Sequence, residues 1–303
     1  MQQDYALNAA KPEVKNRPNK LIFSLLYISM IKNVSNLRVL IYNILVLSLL
    51  LSIPSSVNSY PPDALFKFKT IVIDAGHGGK DPGAHGNYSL EKNVALAIAK
   101  KSERLIKDEM PEINVIMTRT TDKFVQLNKR AEIANQNQAN LFISIHCNSS
   151  PEGTSARANK EKGAMILVYG YHRKGEQMEA LRENSSIYIE KDYQKNYEGY
   201  NEKDPTALII LNTFMQKYRK QSILFGELVN EQFVDVDGRK SRGVKEQGVL
   251  VLAHSGMPAV LVETGYINNA VEEKYLNSQD GQNAIADAIV TAIKIYRKKI
   301  DTH

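Results

Sequence analysis

The chain has 303 residues, with 39 Lys/Arg against 33 Asp/Glu and a single cysteine. Its formal charge of +6 is concentrated in residues 1–59, which hold six basic side chains (Lys11, Lys15, Arg17, Lys20, Lys32, Arg38) and two acidic ones (Asp4, Glu13). The remainder carries 33 basic and 31 acidic groups, a net of +2, so nucleic-acid binding loses its main support. One cysteine excludes an intramolecular disulfide.

The N-terminus reads as an export leader. Lys32 and Arg38 precede an apolar stretch from Val39 to Ile53, and Pro54-Ser55-Ser56-Val57-Asn58-Ser59 supplies the small residues that suit cleavage after Ser59. The stretch is short against the roughly 20 residues of a membrane span, so a signal peptide at 30–59 is expected, with an uncleaved membrane anchor as the alternative. Met30 stands where a signal of ordinary length begins, which makes 1–29 an extension or leader. A linker at 60–67 then leads into one domain, 68–300, long enough for a substantial core.

Within that domain, β-branched or apolar runs predict strands at Ile71–Asp74, Val115–Thr118, Leu141–His146, Ala164–Val168, Val249–Leu252 and Ala259–Glu263. Helical spacing predicts Glu91–Lys107, Leu127–Asn137, Ala207–Phe233 and Asn283–Lys298, with Ser89 as a candidate cap for the first. Alternation of the two kinds predicts an α/β fold, a single twisted, mostly parallel sheet of about six strands flanked by helices. The segment at about 170–206 is left over. It is rich in charge and tyrosine (Glu183, Tyr188, Glu190, Asp192, Tyr193, Tyr197, Glu198, Tyr200) and reads as a helical insertion beside the active-site cleft.

Four residues carry the chemistry. His77 follows an apolar run that stops at Ala75-Gly76, and His146 ends another, so both are expected at the rim of the sheet; Glu91 opens the first helix. Two nitrogens and a carboxylate meet the usual count for catalytic zinc, which leaves one position for water. Glu263 closes a nearly uninterrupted apolar strand and is a candidate base. Each residue alone has a structural explanation, and the spacings of 14 and 55 residues match no compact metal signature. Residue chemistry alone leaves zinc open.

The blocks Asp74-Ala75-Gly76-His77-Gly78-Gly79 with Asp81-Pro82-Gly83-Ala84, Glu91-Lys92, Arg130 with Ala134-Asn135, Ser144 to Ser149, Arg242 to Lys245 and Pro258 to Asn268 resemble, in order, the zinc-dependent N-acetylmuramoyl-L-alanine amidases of the Amidase_3 type. The resemblance runs from about Lys69 to the C-terminus. It implies one catalytic Zn2+ on His77, Glu91 and His146, Glu263 as general base, and peptidoglycan as substrate, cut between the lactyl group of N-acetylmuramic acid and L-alanine during wall remodelling or daughter-cell separation. Export to the periplasm or cell envelope follows. Arg242 is a candidate for holding substrate carboxylates, whereas Asn128 and Arg130 are assigned to their helix rather than to the site. Cys147, where the family often has alanine, is expected to be a packing choice.

Some members of the family carry a helical insertion that blocks the zinc until a protein activator binds. The same role is expected for 170–206, with Glu183 or Glu190 supplying a carboxylate to the open metal position; a surface lid is the alternative. Two rival functions use the same residues: another zinc amide hydrolase, such as a peptidase or deacetylase, and a non-catalytic wall-binding protein. An intact Glu263 argues against the second.

Overall fold

The structure, a computed structural model, describes residues 41–42, 68–151, 160–170, 177–197 and 205–301. The expected leader, signal segment and linker fall almost wholly outside these residues. A compact unit spans Leu65–His303, and no helix among the described residues is long and apolar enough to cross a membrane.

The elements run β1 (Thr70–Ala75), α1 (Glu91–Glu109), β2 (Asn114–Met117), α2 (Leu127–Gln136), β3 (Leu141–Asn148), β4 (Ala164–Tyr169), α3 (Met178–Asn184), a 3-10 turn (Ser185–Ile189), α4 (Tyr193–Asn196), α5 (Pro205–Glu231) with a π turn at Gln232–Val236, β5 (Ser241–Gln247), α6 (Leu250–Ala253), β6 (Ala259–Tyr266), α7 (Ala270–Leu276) and α8 (Gln279–Asp301). One six-stranded sheet has the order β2-β1-β3-β6-β4-β5. Its first four strands are mutually parallel, and β4 and β5 run against them. The expected α/β architecture is therefore present.

Strand alternation sends successive side chains to opposite faces, and both faces are covered, which explains why β1, β3 and β6 are apolar almost throughout. On one face Ile71, Ile73, Ile143, Ile145, Val260 and Val262 pack with Val94, Ile98 and Ile106 of α1, Phe225 and Val229 of α5, and Ile285, Ile289 and Ile293 of α8. On the other, Val72, Phe142, Leu167 and Leu261 meet Leu127 and Ala134 of α2, Ala180 of α3, and the short helix α6.

That short helix corrects one expectation. Val249–Leu252 does not form a strand; Leu250–Ala253 is a buried helical turn, and the sixth strand is Ser241–Gln247. A short apolar run cannot be assigned to helix or strand by periodicity alone. The true strand pairs on one side only and is half solvated, so its sequence, SRGVKEQ, is polar, as suits an edge that must not recruit further strands. Ser89 is no cap either. Leu90 takes the N-cap position of α1, and the Ser89 hydroxyl donates to Glu273 Oε1 at 2.8 Å.

Topology fixes where a site can form. From β1 the chain crosses by α1 to β2 on one side, then by α2 back to β3 on the other. The crevice at the carboxyl ends of β1 and β3, where the winding reverses, is the usual binding position in such sheets.

Candidate active site

His77, Glu91 and His146 meet in that crevice. His77 lies just past β1; His146 lies within β3 and pairs in register with Glu263 of β6. Both β3 and β6 continue beyond the expected ends, so His146 and Glu263 are strand residues rather than terminal ones. The imidazoles stand edge to face, centroids 4.8 Å apart. Glu91 Oε1 is 3.1 Å from His77 Nε2 and 3.0 Å from His146 Nδ1.

Each side chain is aimed by partners outside the cluster. His77 Nδ1 hydrogen-bonds Asp81 Oδ2 at 2.9 Å, which leaves Nε2 facing inward, an arrangement that commonly orients a metal-ligating histidine. Glu91 accepts from the backbone N–H of Cys147 (2.8 Å) on Oε1 and from that of Ala84 (2.7 Å) on Oε2. Cys147 is buried, its Sγ 3.4 Å from Thr264 Oγ1, and its side chain packs in the core. Glu273, fully buried, accepts from Asn87, Tyr88 and Ser89 and so ties down the loop that leads into α1.

A fourth group completes the cluster. Glu183 of α3 brings Oε2 to 2.8 Å from His146 Nδ1 and 3.5 Å from His77 Nε2. The facing atoms of His77, Glu91, His146 and Glu183 all lie within 4.8 Å of one another, and all four residues are buried. Despite burial, His77 Nε2 and Glu183 Oε2 make no well-aligned hydrogen bond, and their close neighbours are the charged groups of the cluster itself. Buried polar atoms are normally paired; orphaned donor atoms converging on one point suit a cation, and a set of two nitrogens and two carboxylate oxygens suits zinc.

The electrostatics agree. Burial disfavours charge on His146, but the Glu183 charge and hydrogen bonds to Glu183 and Glu91 outweigh it and push the imidazole up to about 9. His77 is likewise raised well above the ordinary range against its burial, by the Glu91 charge first. Glu91 and Glu183 are held well below the carboxylate range, in opposition to their burial, by the His77 charge and the His146 charge respectively. Glu263 moves the other way. Burial is the largest cause, Glu183 and Glu91 add to it, and Arg182 opposes it, leaving the carboxyl at about 8.

Arg182, the neighbour of Glu183, was not singled out in the sequence. Its Nη2 donates at 2.7 Å to both Glu263 Oε1 and Glu183 Oε1, and its Nη1 donates to Asn148 Oδ1 at 2.6 Å. The insertion thus places a carboxylate among the converging atoms of the cluster and a guanidinium on the candidate base. It is clipped down by Ala180 N–H to Gln247 Oε1 (2.8 Å), Gly248 N–H to Gln177 Oε1 (2.7 Å), Asn184 Nδ2 to Gly248 O (2.9 Å) and Leu250 N–H to Asn184 Oδ1 (2.8 Å).

Two sequence candidates stay outside the cluster. Glu190 is buried but accepts from Leu127 N–H (3.2 Å) and Tyr197 Oη (2.8 Å), so it fastens the insertion to α2. Arg242 lies on the edge strand, 3.5 Å from Glu161 and stacked 5.0 Å above the Tyr266 ring. Arg130, assigned to its helix, does belong to α2, yet it is buried beneath His77 and bonded to that residue's carbonyl.

Residues 71–295 match the family described as N-acetylmuramoyl-L-alanine amidase. Among relatives, the chain is 35% identical over 227 residues to a putative N-acetylmuramoyl-L-alanine amidase of Buchnera aphidicola subsp. Baizongia pistaciae, covering 75% of this chain and 95% of that one. It is 32% identical over 231 residues to the amidase AmiC of Escherichia coli O6:H1, covering 75% of this chain and 52% of AmiC, so it spans about half of that relative's length. Among solved structures, the CwlD amidase of Clostridioides difficile, in complex with the GerS lipoprotein, superposes with a TM-score of 0.55 at 26% identity, over 76% of this chain and 99% of that one. The match over residues 71–295 and the relatives' names agree with the crevice chemistry, and the chain belongs to the N-acetylmuramoyl-L-alanine amidase family.

Proposed function

We propose that this peptidoglycan amidase cleaves the lactyl–L-alanine bond with one zinc ion held by His77 Nε2, Glu91 Oε1 and His146 Nδ1, and that the insertion keeps the resting enzyme shut. The observation that carries the reading is the convergence of four buried donor atoms within 4.8 Å, two of them orphaned. When bound, zinc supplies a Lewis acid that acidifies water and polarises an amide carbonyl.

The chain's own residues do the rest. Glu263 has Oε1 occupied by Arg182 and Oε2 buried without a partner. Burial and the Glu183 and Glu91 charges raise this carboxyl in the shut cluster; a nearby cation lowers it again, and the ionised carboxylate is suited to take a proton on Oε2 from the attacking water and return it to the departing alanine nitrogen. Asp81 fixes the ring of His77, and the backbone amides of Ala84 and Cys147 fix Glu91, so the ligand set is pre-oriented.

In the shut form Glu183 fills the position that water or substrate needs, and Arg182 occupies the base. Displacing α3 relieves both, which is a task for a protein activator; the complex of CwlD with a lipoprotein is a precedent for partner binding in this fold. Arg242 is retained as a candidate for stem-peptide carboxylates at the outer rim. Export to the periplasm or envelope, through the segment at 30–59, fits a wall substrate.

The test is mass spectrometry of purified peptidoglycan digested with the zinc-loaded native and Glu183→Ala chains, each with and without chelator. Stem peptides beginning in L-alanine, formed only with metal, support the reading. Metal-independent release, or products cut within the stem, would overturn it.

A further inference from the structure

The backbone at His77 is left-handed, φ 57°. Residues with a side chain adopt that conformation uncommonly, and they persist in it where the surroundings hold it. The next residues, Gly78 and Gly79, also have positive φ, so the whole turn after β1 departs from extended geometry while carrying a candidate ligand.

Two buried arginines grip the carbonyls of this turn. Arg130 donates from Nη1 to Ala75 O (2.7 Å) and from Nη2 to His77 O (2.7 Å). Arg119 donates from Nε to Ala75 O (2.9 Å) and from Nη2 to Gly76 O (2.7 Å) and Lys92 O (2.7 Å). Three consecutive carbonyls of the turn, and the residue following Glu91, are therefore tied to two planar, rigid donors. Arg130 is itself fixed by Asp74 Oδ1 at 2.8 Å, and Asp74 accepts from Thr118 Oγ1 and Ser144 Oγ, each at 2.6 Å. Arg119 is 1% exposed and Arg130 3%.

Electrostatics alone does not account for this arrangement. Burying two guanidinium groups is costly, and among the described residues Asp74 is the only carboxylate hydrogen-bonded to either of them. Two positive charges beneath a cluster suited to a cation do not themselves favour cation binding. What the arginines contribute is geometry: fork-shaped donors that hold adjacent carbonyls in one conformation, which a lysine ammonium cannot reproduce.

We propose that Arg130 and Arg119 are positioning residues that lock the left-handed turn and thereby set the metal affinity of His77. This rests on the zinc reading of the cluster. The test compares Arg130→Lys and Arg119→Lys with the native chain. Zinc dissociation constants are measured by competition with a chromophoric chelator, the visible spectrum is recorded with cobalt(II) in place of zinc, and folding is monitored by far-ultraviolet circular dichroism and thermal melting.

Both variants keep the charge. They are expected to keep native ellipticity, to bind zinc roughly 10- to 100-fold more weakly, as loss of an orienting partner commonly does, and to give an altered cobalt spectrum. Folded lysine variants with native zinc affinity and native cobalt spectrum overturn the proposal. If Arg130→Lys fails to fold, Arg119→Lys decides, because it leaves the Asp74–Arg130 pair intact. A native chain that binds no zinc overturns the site reading instead, and the two failures are distinguishable.

Discussion

Replacing Glu183 by alanine removes the carboxylate from the metal-facing atoms while leaving the insertion's other anchors in place. Glu183 Oε2 is 2.8 Å from His146 Nδ1 in a buried charge–charge contact, and we take its loss to cost about 1.5–3 kcal/mol, the range for polar contacts to charged groups. The four neutral bonds that clip α3 to Gln247, Gly248 and Leu250 contribute about 1 kcal/mol each, so α3 stays docked more loosely rather than detaching. A loss of 1.5–3 kcal/mol shifts a closed–open equilibrium by about 10- to 150-fold toward open. Where the closed form dominates, the rate rises by the same factor. The assay is the initial rate of stem-peptide release from purified peptidoglycan, followed by mass spectrometry, with zinc content checked on each sample. Arg182→Ala uncaps Glu263 and is expected to activate to a similar degree. The double variant departs from additivity, because both residues share one network. A folded, zinc-loaded Glu183→Ala chain no faster than the native one would refute the inhibitory role of the insertion.

Metal binding is expected to tighten as pH rises toward about 9. In the metal-free cluster the facing carboxylates outweigh burial, holding a proton on His146 up to about 9 and raising His77 well above the ordinary range; a cation must displace those protons. Titration calorimetry at pH 7 in two buffers of different ionisation enthalpy should give different apparent enthalpies, and identical values would contradict this. Glu263→Gln is expected to lower kcat by about 100- to 10,000-fold while zinc affinity, measured by chelator competition, stays within a few-fold. Loss of zinc together with activity would assign Glu263 to the ligand set. Gly83→Ala puts a Cβ 2.6 Å from His77 Cδ2 and 2.7 Å from Glu91 Oε2, at a φ of 67°. The expected result is a folded chain with strongly reduced zinc content, and a variant with native zinc content would show that the loop can move aside.

The sequence was informative wherever a physical constraint acts locally. Strands buried on both faces must be apolar, so β1, β3, β4 and β6 were legible as runs. Backbone packed against the cluster side chains demands glycine: a Cβ on Gly76 would meet His146, and one on Gly83 would meet His77 and Glu91. The cluster residues are flagged by polar groups where apolar runs stop, together with the resemblance of the blocks around them. The edge strand β5 was hidden because solvent on one side permits charge, and α6 was misread because four buried apolar residues have no resolvable period.

What tertiary structure alone decided lies between elements distant in sequence. Asp81 was read only as part of a resembling block, and its hold on His77, like the roles of Arg182, Arg130 and Arg119, came from the fold. An arginine at helical spacing reads as a solvated charge until the fold buries it against a particular partner. Nor could the chain distinguish Glu183 from Glu190: both stand in the same charged insertion, and only the docking of α3 by Gln177, Ala180 and Asn184 turns one into the cluster while Tyr197 and the α2 backbone take the other. Residue types and local periodicity determine which groups can do chemistry and which elements carry them. The distances among those groups, and so which atom faces the metal site, which faces the base and which is spent on a carbonyl, arise only when β1, β3, β6 and the insertion are packed together.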